Sequence, residues 1–167
     1  MNRQNPRAYK LKKEELANFA NALKAEGEVI GPKSNGVEIS YLPVGDGAEI
    51  DLSKIPLDSP KTYIFPITEK VLEIEGTNIR APLEFKNRVL FGIRPCDIAA
   101  LRCLRAFFED YTKEGKISDP VVMNKLKGLT VVAYNCPEPK EHCFCSAMGT
   151  GPVAIGNFDI ALSDLGD

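Results

Sequence analysis

Residues 88–101 read Arg88-Val89-Leu90-Phe91-Gly92-Ile93-Arg94-Pro95-Cys96-Asp97-Ile98-Ala99-Ala100-Leu101. The first six form a short, continuous apolar run, as expected of a strand covered on both faces. The next four are turn chemistry. From Asp97 to about Tyr111 the period changes: Ala100, Leu104, Phe107 and Tyr111 share one helical face, with Ile98, Leu101 and Phe108 beside it. Asp97 is the expected N-cap. Leu129–Tyr134 is a second short apolar run and predicts a second buried strand. Strand, helix and strand over this length make a βαβ unit with a right-handed crossover.

Working outward, Leu16, Phe19, Ala20 and Leu23 recur at i, i+3, i+4 and i+7, which predicts an amphipathic helix stopped near Gly27. Val29-Ile30 and the alternating run Val37-Glu38-Ile39-Ser40-Tyr41-Leu42 predict strands. The stretch from Gly31 to Gly36 between them is turn chemistry, with Asn35-Gly36 its strongest dipeptide. The Pro- and Gly-containing stretch from Pro43 to Pro60 is expected to be an ordered loop. Residues 62–67 predict a strand interrupted at Pro66. Val71–Ile74 and Ile79–Phe85 predict a hairpin whose tip is Glu75-Gly76-Thr77-Asn78, and Phe158–Leu162 a last strand. No internal repeat is present. The expectation is a single compact α/β domain over residues 1–167. It has an α+β N-terminal portion, and its βαβ unit carries a cysteine site at the carboxyl ends of the strands.

With 44% hydrophobic and 26% charged residues, the chain has an ordinary globular balance, which excludes disorder and fibrous repeats. The net charge of −2 supplies no basic field for nucleic acid. No stretch approaches the roughly 20 apolar residues that cross a bilayer, so membrane insertion is not expected. The first residues are basic and polar without an apolar core, so no secretory signal is read and a cytoplasmic location is expected. Five cysteines without a signal argue against a disulfide framework. Reduced cysteines that cluster are metal ligands or reactive groups.

Cys96 follows the first buried strand directly and Cys136 follows the second. If those strands are parallel neighbours, both cysteines leave the same sheet edge, where open α/β sheets bind ligands. The loop Cys136-Pro137-Glu138-Pro139-Lys140-Glu141-His142-Cys143-Phe144-Cys145 adds two more thiols, with Phe144 turned aside as a lid. The small residues from Ser146 to Gly151 let backbone amides approach sulfur. A helix N-terminus beside Cys96 favours a thiolate. Four thiolates suit structural zinc or an iron–sulfur cluster. The pattern, one distant cysteine and then C-x₆-C-x-C, is neither a zinc knuckle nor a ferredoxin run. Spacing alone therefore leaves iron–sulfur, zinc and a thiol–disulfide pair open. Cys103, inside the helix, reads as a small hydrophobe, and His142, the only histidine, as a solvated loop residue. Arg94 is either a buried cation facing an anionic site or an ordinary salt-bridge donor. No serine-hydrolase motif and no G-x-G-x-x-G after a strand is present.

Two blocks carry a resemblance to a known family. They are Arg94-Pro95-Cys96-Asp97 after a buried strand, and Cys136 followed by Cys143-Phe144-Cys145-Ser146-Ala147-Met148-Gly149-Thr150-Gly151-Pro152. They resemble the iron–sulfur beta subunits of cytosolic sulfhydrogenases and the corresponding iron–sulfur component of the anaerobic sulfite reductase. The segments Gly27–Pro32, Ser59–Pro66 and Phe158–Asp167 support the likeness, which covers nearly the whole chain. The resemblance implies an electron-transfer component, with no catalytic side chain of its own. It would bind one [4Fe–4S] cluster through Cys96, Cys136, Cys143 and Cys145. Its partners would be a flavin subunit that oxidises NAD(P)H and a hydrogenase or sulfur- or sulfite-reducing subunit. Cys103 matches no position of the motif. Family members continue into a ferredoxin-like region with two C-x₂-C-x₂-C-x₃-C-P runs, and this sequence contains neither. The expectation is an N-terminal piece or a short relative, carrying one station of an electron path. The alternatives are a structural-zinc assembly module and a thiol–disulfide redox protein using Cys143 and Cys145.

Overall fold

The computed structural model describes residues 7–81, 85–112 and 115–166. In chain order its elements are α1 (Leu16–Ala22), β1 (Glu28–Ser34), β2 (Ile39–Pro43), β3 (Glu73–Glu75), β4 (Asn78–Arg80), β5 (Arg88–Ile93), α2 (Pro95–Phe108), β6 (Glu109–Thr112), β7 (Gly115–Ser118), α3 (Pro120–Lys127), β8 (Leu129–Tyr134) and β9 (Ile160–Leu162). Five strands form the main sheet in the order β2-β1-β5-β8-β9. The pairs β1–β5, β5–β8 and β8–β9 are parallel, and β2 is an antiparallel edge. The mixed α/β class read from the sequence is the class observed.

The two expected buried strands, β5 and β8, match their apolar runs and lie side by side in parallel. Side chains alternate across a sheet, so each strand feeds two cores. Val29, Val89, Phe91 and Val132 share one cluster with Ala20 of α1 and Val44. Ile30, Leu90, Ile93, Val131 and Ala133 share the other with Ile98 and Leu101 of α2 and Val122 of α3. The helices therefore cover both faces, which is why β5 and β8 carry no polar alternation.

Gly92 breaks the alternation. It holds φ at +71° in the middle of β5, and the register with β8 shifts between Phe91 and Ile93. This is a β-bulge, a device that re-aims the side chains beyond it. Ile93 joins Leu90 on the α2 face instead of alternating away from it. Arg94 is thereby delivered toward the opposite face, where the backbone around Leu52 accepts it. A side chain at position 92 has no room: an added Cβ would lie 2.7 Å from Leu52 Cδ2 and 3.1 Å from Pro32 Cδ.

Several expectations are corrected. The helix α2 begins at Pro95, with Arg94 as N-cap and proline in the first turn, and ends at Phe108. Asp97 is thus inside the first turn and does not cap. Ile98 and Leu101 are the buried positions, and Phe107 is exposed, so the expected stripe is displaced around the helix. Tyr111 falls in β6. Residues 60–63 form a 3₁₀ turn in place of the expected strand. There the apolar side chains plug the core: Ile64 is buried, and the Tyr63 hydroxyl donates to the Tyr41 carbonyl at 2.8 Å. The turn after β1 is tighter than expected. Gly31 to Ser34 belong to the strand, and Asn35 Oδ1 closes the turn by accepting from the amides of Val37 and Glu38. The hairpin β3–β4 is present but shorter, and Pro82–Glu84 of its expected second strand lie outside the described residues. The βαβ crossover is longer than a single helix. The hairpin β6–β7 and the helix α3 intervene, the latter capped by Asp119, whose carboxylate accepts from the amides of Val121 and Val122.

Gly92→Ala must adopt a left-handed φ and displace Leu52 or Pro32. Its expected cost is about 2–4 kcal/mol in chemical denaturation, from backbone strain and overpacking together. Asp119→Ala, which removes one helix cap, should cost only about 1 kcal/mol. Equal midpoints for the two variants would remove the bulge from its structural role.

Candidate metal centre

Cys96 lies in the first turn of α2, and Cys136 lies two residues beyond the end of β8. Because β5 and β8 are adjacent and parallel, both thiols stand at one sheet edge. The segment after Cys136 then returns to its own start. The Cys136 amide donates to the Pro152 carbonyl at 3.1 Å. Inside this closed loop the Cys143 amide donates to the Lys140 carbonyl at 2.9 Å, and the Thr150 amide to the Cys145 carbonyl at 2.9 Å. The Lys140 amide points at the Cys143 sulfur, 3.3 Å away. At Gly151 the loop meets the start of α2. An added Cβ there would sit 2.9 Å from Cys145 Sγ and 3.5 Å from Pro95 Cβ. Only a residue without a side chain lets the loop press Cys145 toward the helix that carries Cys96.

Two of the thiols, Cys96 and Cys136, are held away from their ordinary range. Cys96 is an exposed residue whose thiol is partly desolvated. Burial first, then the charges of Asp97 and Cys136, push its pKa up to about 11, against the pull of the Asp97 and Cys96 amides. Burial also pushes the Cys136 thiol up, against the charge of Arg94 and with Cys145 and Cys143 adding to the rise. Among the described residues, no three Cys, His, Asp or Glu side chains already stand as a metal-binding group.

Arg94 is the buried cation of this edge, only 4% exposed. Its Nη2 donates to the carbonyls of Leu52 at 3.1 Å and Lys54 at 3.0 Å. Its guanidinium carbon lies 4.7 Å from the centre of the Tyr134 ring. Its Nη1 reaches to 4.0 Å from Cys136 Sγ, and its Nε has no partner among the described residues. Asp97 does not pair with it: that carboxylate accepts from Ser59 Oγ at 2.7 Å, and burial holds its pKa above the usual range. Of the two sequence readings for Arg94, the salt-bridge donor finds no carboxylate among the described residues.

The remaining candidates separate cleanly. Cys103 is exposed on α2, so the core position expected for it is corrected: it lies on the outward side of the helix. His142 is exposed. Phe144 is 71% exposed and Met148 65%, and Val153 and Ile155 are exposed nearby, giving the loop an apolar outer surface. Sequence reasoning missed Tyr134 and the carbonyls of Leu52 and Lys54, while Gly151 lies in the stretch it expected to approach sulfur. Gly92, a glycine inside a buried strand, was the available signal that the backbone bends before the site.

No family model matches the chain, and no solved structure matches it. Among curated proteins, it is 31% identical over 165 residues, 96% of its length, to the sulfhydrogenase 2 subunit beta of Pyrococcus furiosus. The chain spans 46% of that relative's length. The likeness that Arg94-Pro95-Cys96-Asp97 and the Cys143–Pro152 block suggest is thus met, over nearly the whole of this chain, by a sulfhydrogenase beta subunit.

Proposed function

We propose that this chain is an electron-transfer module that holds one [4Fe–4S] cluster through Cys96, Cys136, Cys143 and Cys145. In this reading it relays electrons between a flavin subunit that oxidises NAD(P)H and a hydrogenase or a sulfur- or sulfite-reducing partner. The observation that carries the reading is the placement of Cys136. It stands just beyond the carboxyl end of β8, beside the parallel strand β5, with the buried Arg94 reaching its sulfur. The donor set suits the cluster chemically, since four thiolates are its usual ligands. The buried Arg94 guanidinium, with Nη1 4.0 Å from Cys136 Sγ, also suits an anionic group at this edge.

A bound cluster would supply one-electron chemistry, and the protein's part is to hold and surround it. Cys96 would supply a thiol from the first turn of α2, and Cys136 one from just beyond the end of β8. Cys143 and Cys145 supply thiols from a loop whose own hydrogen bonds hold its shape. The Asp97 carboxylate is held by the Ser59 hydroxyl. Phe144 and Met148 offer an apolar outer surface on which a partner can exclude water. No side chain here is asked to move a proton.

Anaerobically purified protein is expected to be brown and to contain about four iron and four sulfide per chain. Cys96→Ser, Cys136→Ser, Cys143→Ser and Cys145→Ser should each lose most of that iron, while Cys103→Ser keeps it. A folded, colourless protein with stoichiometric zinc, or with a reversible Cys143–Cys145 disulfide and no metal, would sink the proposal. The outer surface makes a second prediction. Phe144→Asp should change the unfolding free energy by less than about 0.5 kcal/mol, because the ring is mostly solvent-exposed. The same variant should keep its iron but co-purify poorly with its redox subunits. Parallel losses of stability and association would count against a docking role.

A further inference from the structure

We propose that Arg94 is a positioning residue that sets the reduction potential of this site, acting through the sulfur of Cys136. The inference rests on the [4Fe–4S] reading above and deepens it. Its basis is geometric. A guanidinium has five N–H donors in a rigid fork and is always charged. Nη2 spends its hydrogen bonds on the carbonyls of Leu52 and Lys54, which clamp one side of the fork. Tyr134 covers a face of the group. What remains is Nη1, on the far side of the group from the edge that Nε–H shares with Nη2. Nη1 looks at Cys136 Sγ from 4.0 Å, and Nε, fully buried, meets no acceptor among the described residues.

A buried donor without a partner is costly, and a buried charge without a counter-charge more so. Among the described residues Arg94 makes no ion pair. Asp97, three residues on, accepts from Ser59 instead. The fold nevertheless builds a bulge at Gly92 whose effect is to send Arg94 across the sheet to this place. The counter-charge that geometry offers Arg94 is the sulfur of Cys136, opposite Nη1. Net charge, hydrogen bonds to sulfur and solvent exposure are what tune a cluster's potential. When one electron from a reductant, dithionite in a titration, enters the site, its net charge falls by one. Arg94 favours the more negative, reduced state through its fixed positive charge and so raises the potential.

The test is a dithionite redox titration of anaerobic protein followed by EPR, on wild type, R94Q and R94K. The R94Q variant, which loses the charge, is expected to show a lower midpoint than wild type. The R94K variant, which keeps the charge, should recover most of the difference. An R94Q midpoint equal to wild type, or an R94K midpoint as low as that of R94Q, overturns the inference. Should R94Q fail to fold or to load, pulsed EPR on reduced wild-type protein made with isotopically labelled arginine decides. A nitrogen coupling to the electron spin that disappears in R94K supports the contact, and no coupling in wild type overturns it. Wild-type protein that carries no iron–sulfur cluster defeats the functional reading itself. A loaded wild type with an unmoved potential in R94Q defeats only the role of Arg94.

Discussion

The parallel pairing of β5 with β8 is the constraint on which the rest of the molecule depends. It brings two segments separated by about 40 residues into register, with their carboxyl ends at one edge. Both strands are covered on each face, so a slip of one residue would carry every apolar side chain to the wrong core. The register is therefore firmly held as far as Phe91 and Val132. There the bulge at Gly92 inserts its extra residue and reverses the alternation for the residues beyond it. Ile93 stays on the α2 side, and Arg94 goes to the side of Tyr134, Leu52 and Lys54. The site exists at this edge because a well-specified register ends in one local irregularity.

How much of the fold is legible in the sequence depends on how strongly burial alone constrains each segment. Arg88–Ile93 and Leu129–Tyr134 read as covered strands because they are short apolar runs with turn residues after them. The first helix is visible in its period. Residues 62–67 mislead because β-branched and aromatic side chains signal a pleated surface only when the backbone can pair. Here Pro60 starts a 3₁₀ turn, and Ile64 is buried as a plug from above the sheet. The helix α3 is hidden although Asp119-Pro120 is a strong helix-start signal, because its eight residues are too few to show a period.

The candidate site is legible to the same degree. The strand ends place Cys96 and Cys136 together by topology alone, as happens in α/β sheets generally. The approach of Cys145 to the start of α2 is not legible. It depends on a loop closed by the hydrogen bond between Cys136 and Pro152 and on the missing side chain at Gly151. Neither has a signature in spacing. The side of the sheet taken by Arg94 is equally hidden. Simple alternation from Leu90 by twos puts Arg94 on the α2 face, and only the bulge corrects the count.

These features bear on one another through charge. Burial pushes the thiols of Cys96 and Cys136 upward, so unliganded they favour the neutral form. Arg94, beside Cys136, is a cation. The edge therefore holds a fixed buried cation next to sulfurs that are reluctant to supply the anion it lacks. A pocket made only for packing gains nothing from this arrangement, since an apolar residue in place of Arg94 would avoid the desolvation. A site completed by a ligand that holds the sulfurs as thiolates does gain, because the ligand supplies the negative charge and the cation is already in position. The same reasoning weighs against Cys143–Cys145 disulfide chemistry as the main business of this edge. A disulfide is neutral, and it would leave Arg94 without a counter-charge and Cys96 and Cys136 without a role.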